Sequence, residues 1–300
     1  MKNKFSFLLI LLPLFMSCIN DSRDNCIKIS DIFLNHEYKA DTSNNVLDQY
    51  LKHSKLFIYN EGGKLVREVD LTKDELTFGS KVGVLEGGYY TFIAWANLDK
   101  NSEVESHESI QNGRIKTLSS TSGKNIYNTS DKLYFARKEV FIPYNDSQEP
   151  KQFTELLTYQ SAHINFKVIA RGQIKEDINL VFKNLMPEYG YSMNSLGSLE
   201  ASYHPHVTKK PIQGDEFEYT AEFSVFRFKD DNKITVDVFN KNTGDPIGTT
   251  IELKKLMQKY QISVDNKQEV NILIEIELDQ KANLTVTIKD WDEDDIIPQN

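Results

Sequence analysis

Gly87-Gly88-Tyr89-Tyr90-Thr91-Phe92-Ile93-Ala94-Trp95-Ala96-Asn97 is the stretch that decides the fold. The glycine pair supplies the backbone freedom of a tight turn. The run behind it is dense in aromatic and β-branched residues, which fit a pleated surface. Side chains alternate along a strand. Tyr90, Phe92, Ala94 and Ala96 therefore share one face, and Tyr89, Thr91, Ile93, Trp95 and Asn97 share the other. The first of these faces reads as sandwich interior.

The period of two continues on both sides. Upstream, residues 28–34, 55–59 and 65–71 read as strands, the last two joined by the turn Glu61-Gly62-Gly63-Lys64. Residues 77–85 read as another. Residues 99–130 are polar, rich in Ser, Asn and Glu, and read as a long surface excursion with room for a short helix. Strands resume at 132–136, 139–142 and 153–158. The second half repeats the style at 162–170, 178–182, 217–226, 234–239, 269–276 and 283–291. One amphipathic helix is expected over 252–260, where Leu253, Leu256, Met257 and Tyr260 fall at i, i+3, i+4 and i+7.

Many short strands with regular turn signals imply β-sandwiches, and the long helices of a βαβ protein are missing from the pattern. The 300 residues suit two domains better than one. The expected division is an N-terminal β-sandwich over 27–158 and a C-terminal β-sandwich over 159–300. With 17 Phe, 14 Tyr and 2 Trp, the chain has the material for two cores.

Residues 1–17 read as a leader. Lys2 and Lys4 precede an apolar run from Phe5 to Phe15, too short to span a bilayer. The run ends at Phe15-Met16-Ser17-Cys18, a small residue directly before a cysteine, which is the pattern of a bacterial lipoprotein signal peptide. Phe15 stands where Leu is usual. Cys18 is thus the expected lipidation site, and residues 18–26 the lipidated tether. The competing readings are a plain secretory signal, or a disulfide between Cys18 and Cys26, which acylation of Cys18 would preclude. The net charge is −9; losing Lys2 and Lys4 with the leader leaves 33 basic against 44 acidic residues, or −11. That balance opposes a nucleic-acid partner, which needs a basic surface.

Chemistry-bearing motifs are scarce. The six histidines lack HExxH spacing, and His204-Pro205-His206 offers two imidazoles without an evident third ligand. The acidic tail Asp290-Trp291-Asp292-Glu293-Asp294-Asp295 resembles the start of a calcium loop but lacks its glycine and its final glutamate. Neither Gly-x-Ser-x-Gly, a Walker A loop nor a dinucleotide fingerprint occurs. The reading is of a protein that is not an enzyme, with no catalytic residue, metal or cofactor and no ligand-binding residue assigned.

The chain resembles the FimB-type fimbrial anchor family of Bacteroidia, the minor fimbrium anchoring subunits. The resemblance lies in the order of motifs. These are Cys18-Ile19-Asn20-Asp21 with Cys26, then Leu56-Phe57-Ile58-Tyr59-Asn60-Glu61-Gly62-Gly63-Lys64-Leu65-Val66, and the Gly87–Asn97 stretch. Lys132-Leu133-Tyr134-Phe135-Ala136 and Leu284-Thr285-Val286-Thr287-Ile288-Lys289-Asp290-Trp291 follow. The resemblance implies two tandem transthyretin-like β-sandwich domains behind a lipoprotein signal peptide. It further implies attachment to the cell outer membrane through lipid at Cys18, and a fimbrillin shaft subunit as partner, joined by strand exchange. The alternative is a surface lipoprotein adhesin that binds glycan or host protein, with Tyr189, Tyr191 and Tyr203, near Gly190 and Gly197, as its only candidate aromatic platform.

Overall fold

The computed structural model describes residues 29–120, 123, 125–144, 149–196, 201–278 and 284–290. The expectation of an all-β protein is borne out. Among the described residues, helix is confined to Leu47–Tyr50, Lys73–Phe78 and Leu253–Tyr260.

Two pairs of sheets each enclose a core. In the first pair, a three-stranded sheet places Ile29–Glu37 between Lys151–Thr158 and Ser80–Glu86. It faces a five-stranded sheet in which Gly88–Ala96 lies at the centre, between His53–Asn60 and Tyr134–Ile142. Leu65–Thr72 and Gln160–Ser161 close the two edges of that sheet. Ile32, Leu34, Leu56, Ile58, Phe92 and Ala94 are fully buried between these sheets. In the second pair, His163–Gly172 and Asn271–Leu278 run parallel at the centre of one sheet. The facing sheet is built on Ile178–Lys183 and Thr235–Asn240. Phe166, Phe182, Phe223 and Val236 sit in the core between them. The chain passes from the first pair to the second between Ser161 and His163.

The polar excursion departs from its sequence reading. Instead of a helix on a loop, it holds the strands Ser102–Glu105, Arg114–Thr117 and Ile126–Tyr127. The first two form a hairpin with alternating burial: Ser102, Ile115 and Thr117 point in, while Glu103, Glu105, Arg114 and Lys116 pair their charges on the other side. This hairpin extends into a four-stranded sheet with Glu188–Gly190 and Ser195–Leu196 from the second half of the chain. Ile126–Tyr127 pairs in parallel with Ser202–Tyr203. The small sheet lies on the outer face of Gly88–Ala96, and a third core forms there from Phe57, Tyr59, Ile93, Trp95, Phe135 and Tyr191 with their neighbours. Both faces of the central strand are therefore dry from Phe92 to Ala96.

Two local readings change as well. Residues 77–85 are not one strand: a helix occupies Lys73–Phe78 and the strand begins at Ser80. The cause is a capping box, in which the Thr72 side chain accepts from Glu75 N–H while Glu75 accepts from Thr72 N–H. Residues 132–136 and 139–142 are one strand, Tyr134–Ile142. The helix expected over 252–260 is observed as Leu253–Tyr260, with Leu253 and Met257 buried.

Ile115 tests the cover. It has no exposed surface, so Ile115→Ala should cost about 2–4 kcal/mol in urea unfolding. Phe92→Asp, which puts a charge into the first core, should cost at least as much. A loss below about 0.5 kcal/mol at Ile115 would mean that the hairpin is a surface ornament.

Candidate functional site: the first strand and its clamp

Ile29–Glu37 alternates along its length. Ser30, Ile32, Leu34 and His36 are buried and Asn35 is exposed. The strand is bonded on both sides, in parallel to Lys151–Thr158 over eight residue pairs from Ser30↔Lys151 to Glu37↔Thr158. Its antiparallel register to Ser80–Glu86 shifts between Ile32 and Phe33. The shift is accommodated by Gly83, at φ +93°, where a Cβ would collide with the Arg67 guanidinium. Arg67 uses the space to donate to the carbonyls of Val82 and Val84, at 2.6 and 2.9 Å. Farther along, Phe33 packs over Gly79, another position with no room for a Cβ.

Just past the strand, Tyr38 is fully buried. Its ring meets Tyr134 and Tyr50 edge-on, with centroids 4.9 and 5.4 Å apart. Its hydroxyl donates to the Glu269 carboxylate, and the Tyr134 hydroxyl donates to the same Glu269 oxygen at 3.0 Å. Asp41 in turn accepts from the backbone N–H groups of Gln268 and Glu269, at 2.8 and 3.1 Å. Arg227 holds the same loop by donating to the carbonyls of Gln268, Val264 and Lys267. The end of the first strand is thus clamped to a loop of the second half, more than two hundred residues away. Burial raises the Glu269 pKa above its ordinary value, against the two tyrosine hydrogen bonds that lower it. Burial, and then the Glu269 charge, push the Tyr38 phenol well above its ordinary range.

At the other end of the chain, Leu284–Asp290 pairs with Asn271–Leu278 over seven residue pairs. Ile288 is buried in the second core. This last described strand completes its own sheet.

The remaining sequence candidates fare differently. Cys18, Cys26 and the leader lie outside the described residues, as do Gly197 and the acidic tail beyond Asp290. Tyr189, Tyr191 and Tyr203 are 8%, 2% and 0% exposed, so they are core residues and not a platform for glycan. Trp95, Phe57 and Tyr59 of the third core, with the small sheet, account for the burial of Tyr191. His204 bonds to Ser202 at 3.0 Å, and among the described residues no group of three or more His, Cys, Asp or Glu is placed to hold a metal. The clamp escaped sequence reading because Tyr38, Asp41 and Glu269 carry no motif. Their signal exists only once the two halves are packed.

These features define an all-β protein with two sheet-on-sheet bodies, whose first strand is built into the first body and tied at its end to the second. The chain belongs to the family of fimbrillin-A associated anchor proteins Mfa1 and Mfa2, whose sequence model matches residues 22–296. The anchor-family resemblance read from the ordered motifs is borne out. In fold the chain is similar to the fimbrial anchor protein Mfa2 from Porphyromonas gingivalis, at 14% identity and a TM-score of 0.67, covering 88% of this chain and 98% of that one. It is also similar to a candidate adhesin from Bacteroides thetaiotaomicron, at 16% identity and a TM-score of 0.66, with 88% and 97% covered. A candidate polysaccharide-binding protein from the same organism gives 13% identity and a TM-score of 0.65, with 88% and 99% covered. At these identities the likeness is one of fold. No curated protein matches the chain.

Acid should loosen this body. Burial holds the His36 and His163 imidazoles at about 4, against an ordinary 6.5. A depressed folded-state pKa means that the unfolded chain takes up the proton first. The contribution is whole above pH 6.5 and is lost as pH falls toward 4, by about 3 kcal/mol per histidine over the full window. The urea midpoint should therefore fall between pH 6.5 and 5, where most carboxylates are still ionised. His36→Gln, which can keep the bond to Ser80, should make that slope shallower; an unchanged slope would show that His36 does not titrate with unfolding.

Proposed function

We propose that this protein is a lipid-anchored fimbrial anchor, or minor subunit, that tethers a fimbrillin polymer to the cell outer membrane. In this reading Cys18 is the mature N-terminus and carries diacylglycerol and an amide-linked acyl chain, which together give the stable anchoring that a single chain would not. Residues 1–17 are the signal peptide and 18–26 the tether. Residues 27–158 and 159–300 are the two transthyretin-like domains. The partner is a fimbrillin shaft subunit, engaged by strand exchange, in which one chain's strand completes another's sheet. The role is structural and asks for no catalysis or cofactor.

The observation that carries this reading is the first strand. A shaft subunit that receives a neighbour's strand must give up one of its own. Here Ile29–Glu37 is hydrogen-bonded on both sides, buries Ile32 and Leu34 completely and is continuous with the Tyr38 and Asp41 clamp. Removing it would open the first core and also release the second body. A subunit so built keeps its first strand, and keeping that strand also keeps the connection to Cys18. The last described strand, Leu284–Asp290, is committed to its own sheet as well. These features favour a terminal subunit that meets the shaft at one interface. The adhesin alternative loses its sequence-level support with the burial of Tyr189, Tyr191 and Tyr203.

The chain without residues 1–18, incubated with and without limited trypsin and run unheated on a gel, should stay monomeric. A ladder of homopolymers would make it a shaft subunit. In cells, Cys18→Ala should move the protein out of the membrane fraction, and mass spectrometry of the wild type should find an acylated Cys18; a free thiol there would remove the lipid from the account.

A further inference from the structure

The outer face of the sheet around Gly88–Ala96 is covered over only part of its length. Near Ile93 and Trp95 the small sheet closes it. Toward the beginning of the strand, Tyr89, Phe141 and Tyr144 stand 59%, 46% and 63% exposed. Tyr89 and Phe141 are direct partners on adjacent strands, with ring centroids 4.8 Å apart. Phe141 meets Tyr144 edge-on at 6.4 Å. Tyr144 lies against Gly87, where a Cβ would be 2.5 Å from its ring, so the glycine is what lets the third ring seat. Val66, 44% exposed, lies at the same end of the sheet, next to Leu65, which pairs with Tyr59. Of the eight large apolar residues exposed among the described residues, four therefore gather at one end of one sandwich. Such clustering marks a contact surface, whereas single exposed apolar residues do not.

That end is also where the first strand begins. Ile29 pairs with Glu86, the residue next to Gly87. The eleven residues from Cys18 to Ile29 reach at most about 40 Å fully extended, and much less as a coil. A lipid at Cys18 would hold this end, and no other part of the first sandwich as closely, against the bilayer.

We propose that Tyr89, Phe141 and Tyr144 form a membrane-contact site that seats in the boundary between headgroups and acyl chains. The proposal rests on the lipid-anchor reading of Cys18. Tyrosine suits this boundary, because its ring is apolar and its hydroxyl stays wet. The tether makes the contact intramolecular, so a modest apolar surface suffices. Exposed charges at this end are of both signs, Glu61 and Glu86 with Lys64 and Lys151. The attraction is therefore apolar and insensitive to salt, unlike that of a basic patch on anionic lipid. The effect is to fix the orientation of the body, standing the sandwich on one end in place of letting it swing on its tether.

The test uses the acylated full-length mature protein in phosphatidylcholine vesicles, with and without brominated lipid. Phe141→Trp places a probe in the cluster. Phe78→Trp places one at a site 79% exposed, next to Gly79, which lies against Phe33 and Leu34 farther along the first strand. Wild-type emission from Trp95 and Trp291 is subtracted. Brominated lipid should quench F141W several-fold more than F78W, equally in low and high salt. Equal quenching of the two in protein that floats with the vesicles would overturn the contact and leave the anchor standing. Wild-type protein that does not float would overturn both. Shielding of F141W from an aqueous quencher before any vesicle is added would assign the cluster to the chain's own tether. Shielding that appears only when fimbrillin is added would assign it to the shaft.

Discussion

The structure depends on a strand that is buried on both faces. A sandwich strand ordinarily turns one face to the core and one to water. In Gly88–Ala96 the residues from Phe92 to Ala96 have no wet face, and Trp95 and Ile93 are as buried as Phe92 and Ala94. An aromatic side chain left uncovered would forfeit about 2–3 kcal/mol. The cover is supplied by a hairpin from the intervening excursion and by strands from the second half of the chain. What closes the first sandwich is thus the same sheet that joins it to the second. The two bodies meet through a shared core, with Phe226 and Ala162 of one packed on Phe135 and Leu133 of the other.

The clamp at Tyr38, Asp41 and Glu269 follows from that arrangement. Packing the small sheet on one side fixes where the loop at 264–269 must lie, and the end of the first strand is there to meet it. A carboxylate removed from water is costly unless its oxygens find donors. Partly buried Glu269 finds two tyrosine hydroxyls, and exposed Asp41 beside it accepts from two backbone N–H groups of the same loop. The carboxylates of the junction are satisfied across it, while Arg227 ties the loop down from within the second half. The first strand is in this way an element of the joint between the bodies as well as of the first core.

Sequence reading reached what depends on local period. Alternation placed most strands within a few residues and assigned Phe92 and Ala94 to the interior. The spacing of Leu253, Leu256, Met257 and Tyr260 marks the longest helix among the described residues. The Thr72–Glu75 capping box is present in the sequence, but the β-formers around Thr77 mask it. The excursion reads as a loop for a different reason: its charges sit on one side of a hairpin whose inward side carries Ser102, Val104, Ile115 and Thr117, too little apolar signal to stand out from a loop. The tyrosines at 189, 191 and 203 stand as candidates for a platform because aromatic residues near glycine look exposed. Their burial is set by Phe57, Tyr59, Thr117 and Tyr127, partners far away in sequence. Alternation puts Tyr89 on one face with Ile93 and Trp95 and leaves that face without a partner, and only the length of the cover decides which of the three stays wet.

The direction of the first strand bears on how an anchor would carry load. Nine residues of strand extend about 30 Å, with the proposed tether at the Ile29 end and the clamp to the second body just past Glu37. Tension applied between the proposed tether and the second body would pull Ile29 along the strand axis. The ladders to Lys151–Thr158 and Ser80–Glu86 run beside that axis, so their hydrogen bonds share the load in shear. Peeling from one end, which would break them one after another, is not the geometry presented. Resistance to such a pull is set by the unfolding rate and not by the equilibrium stability. A strand that is central in its sheet, bonded on both edges and fastened at its far end to a second body raises that barrier without any extra element. For a subunit that must hold and need never polymerise, keeping the first strand in place serves both requirements at once.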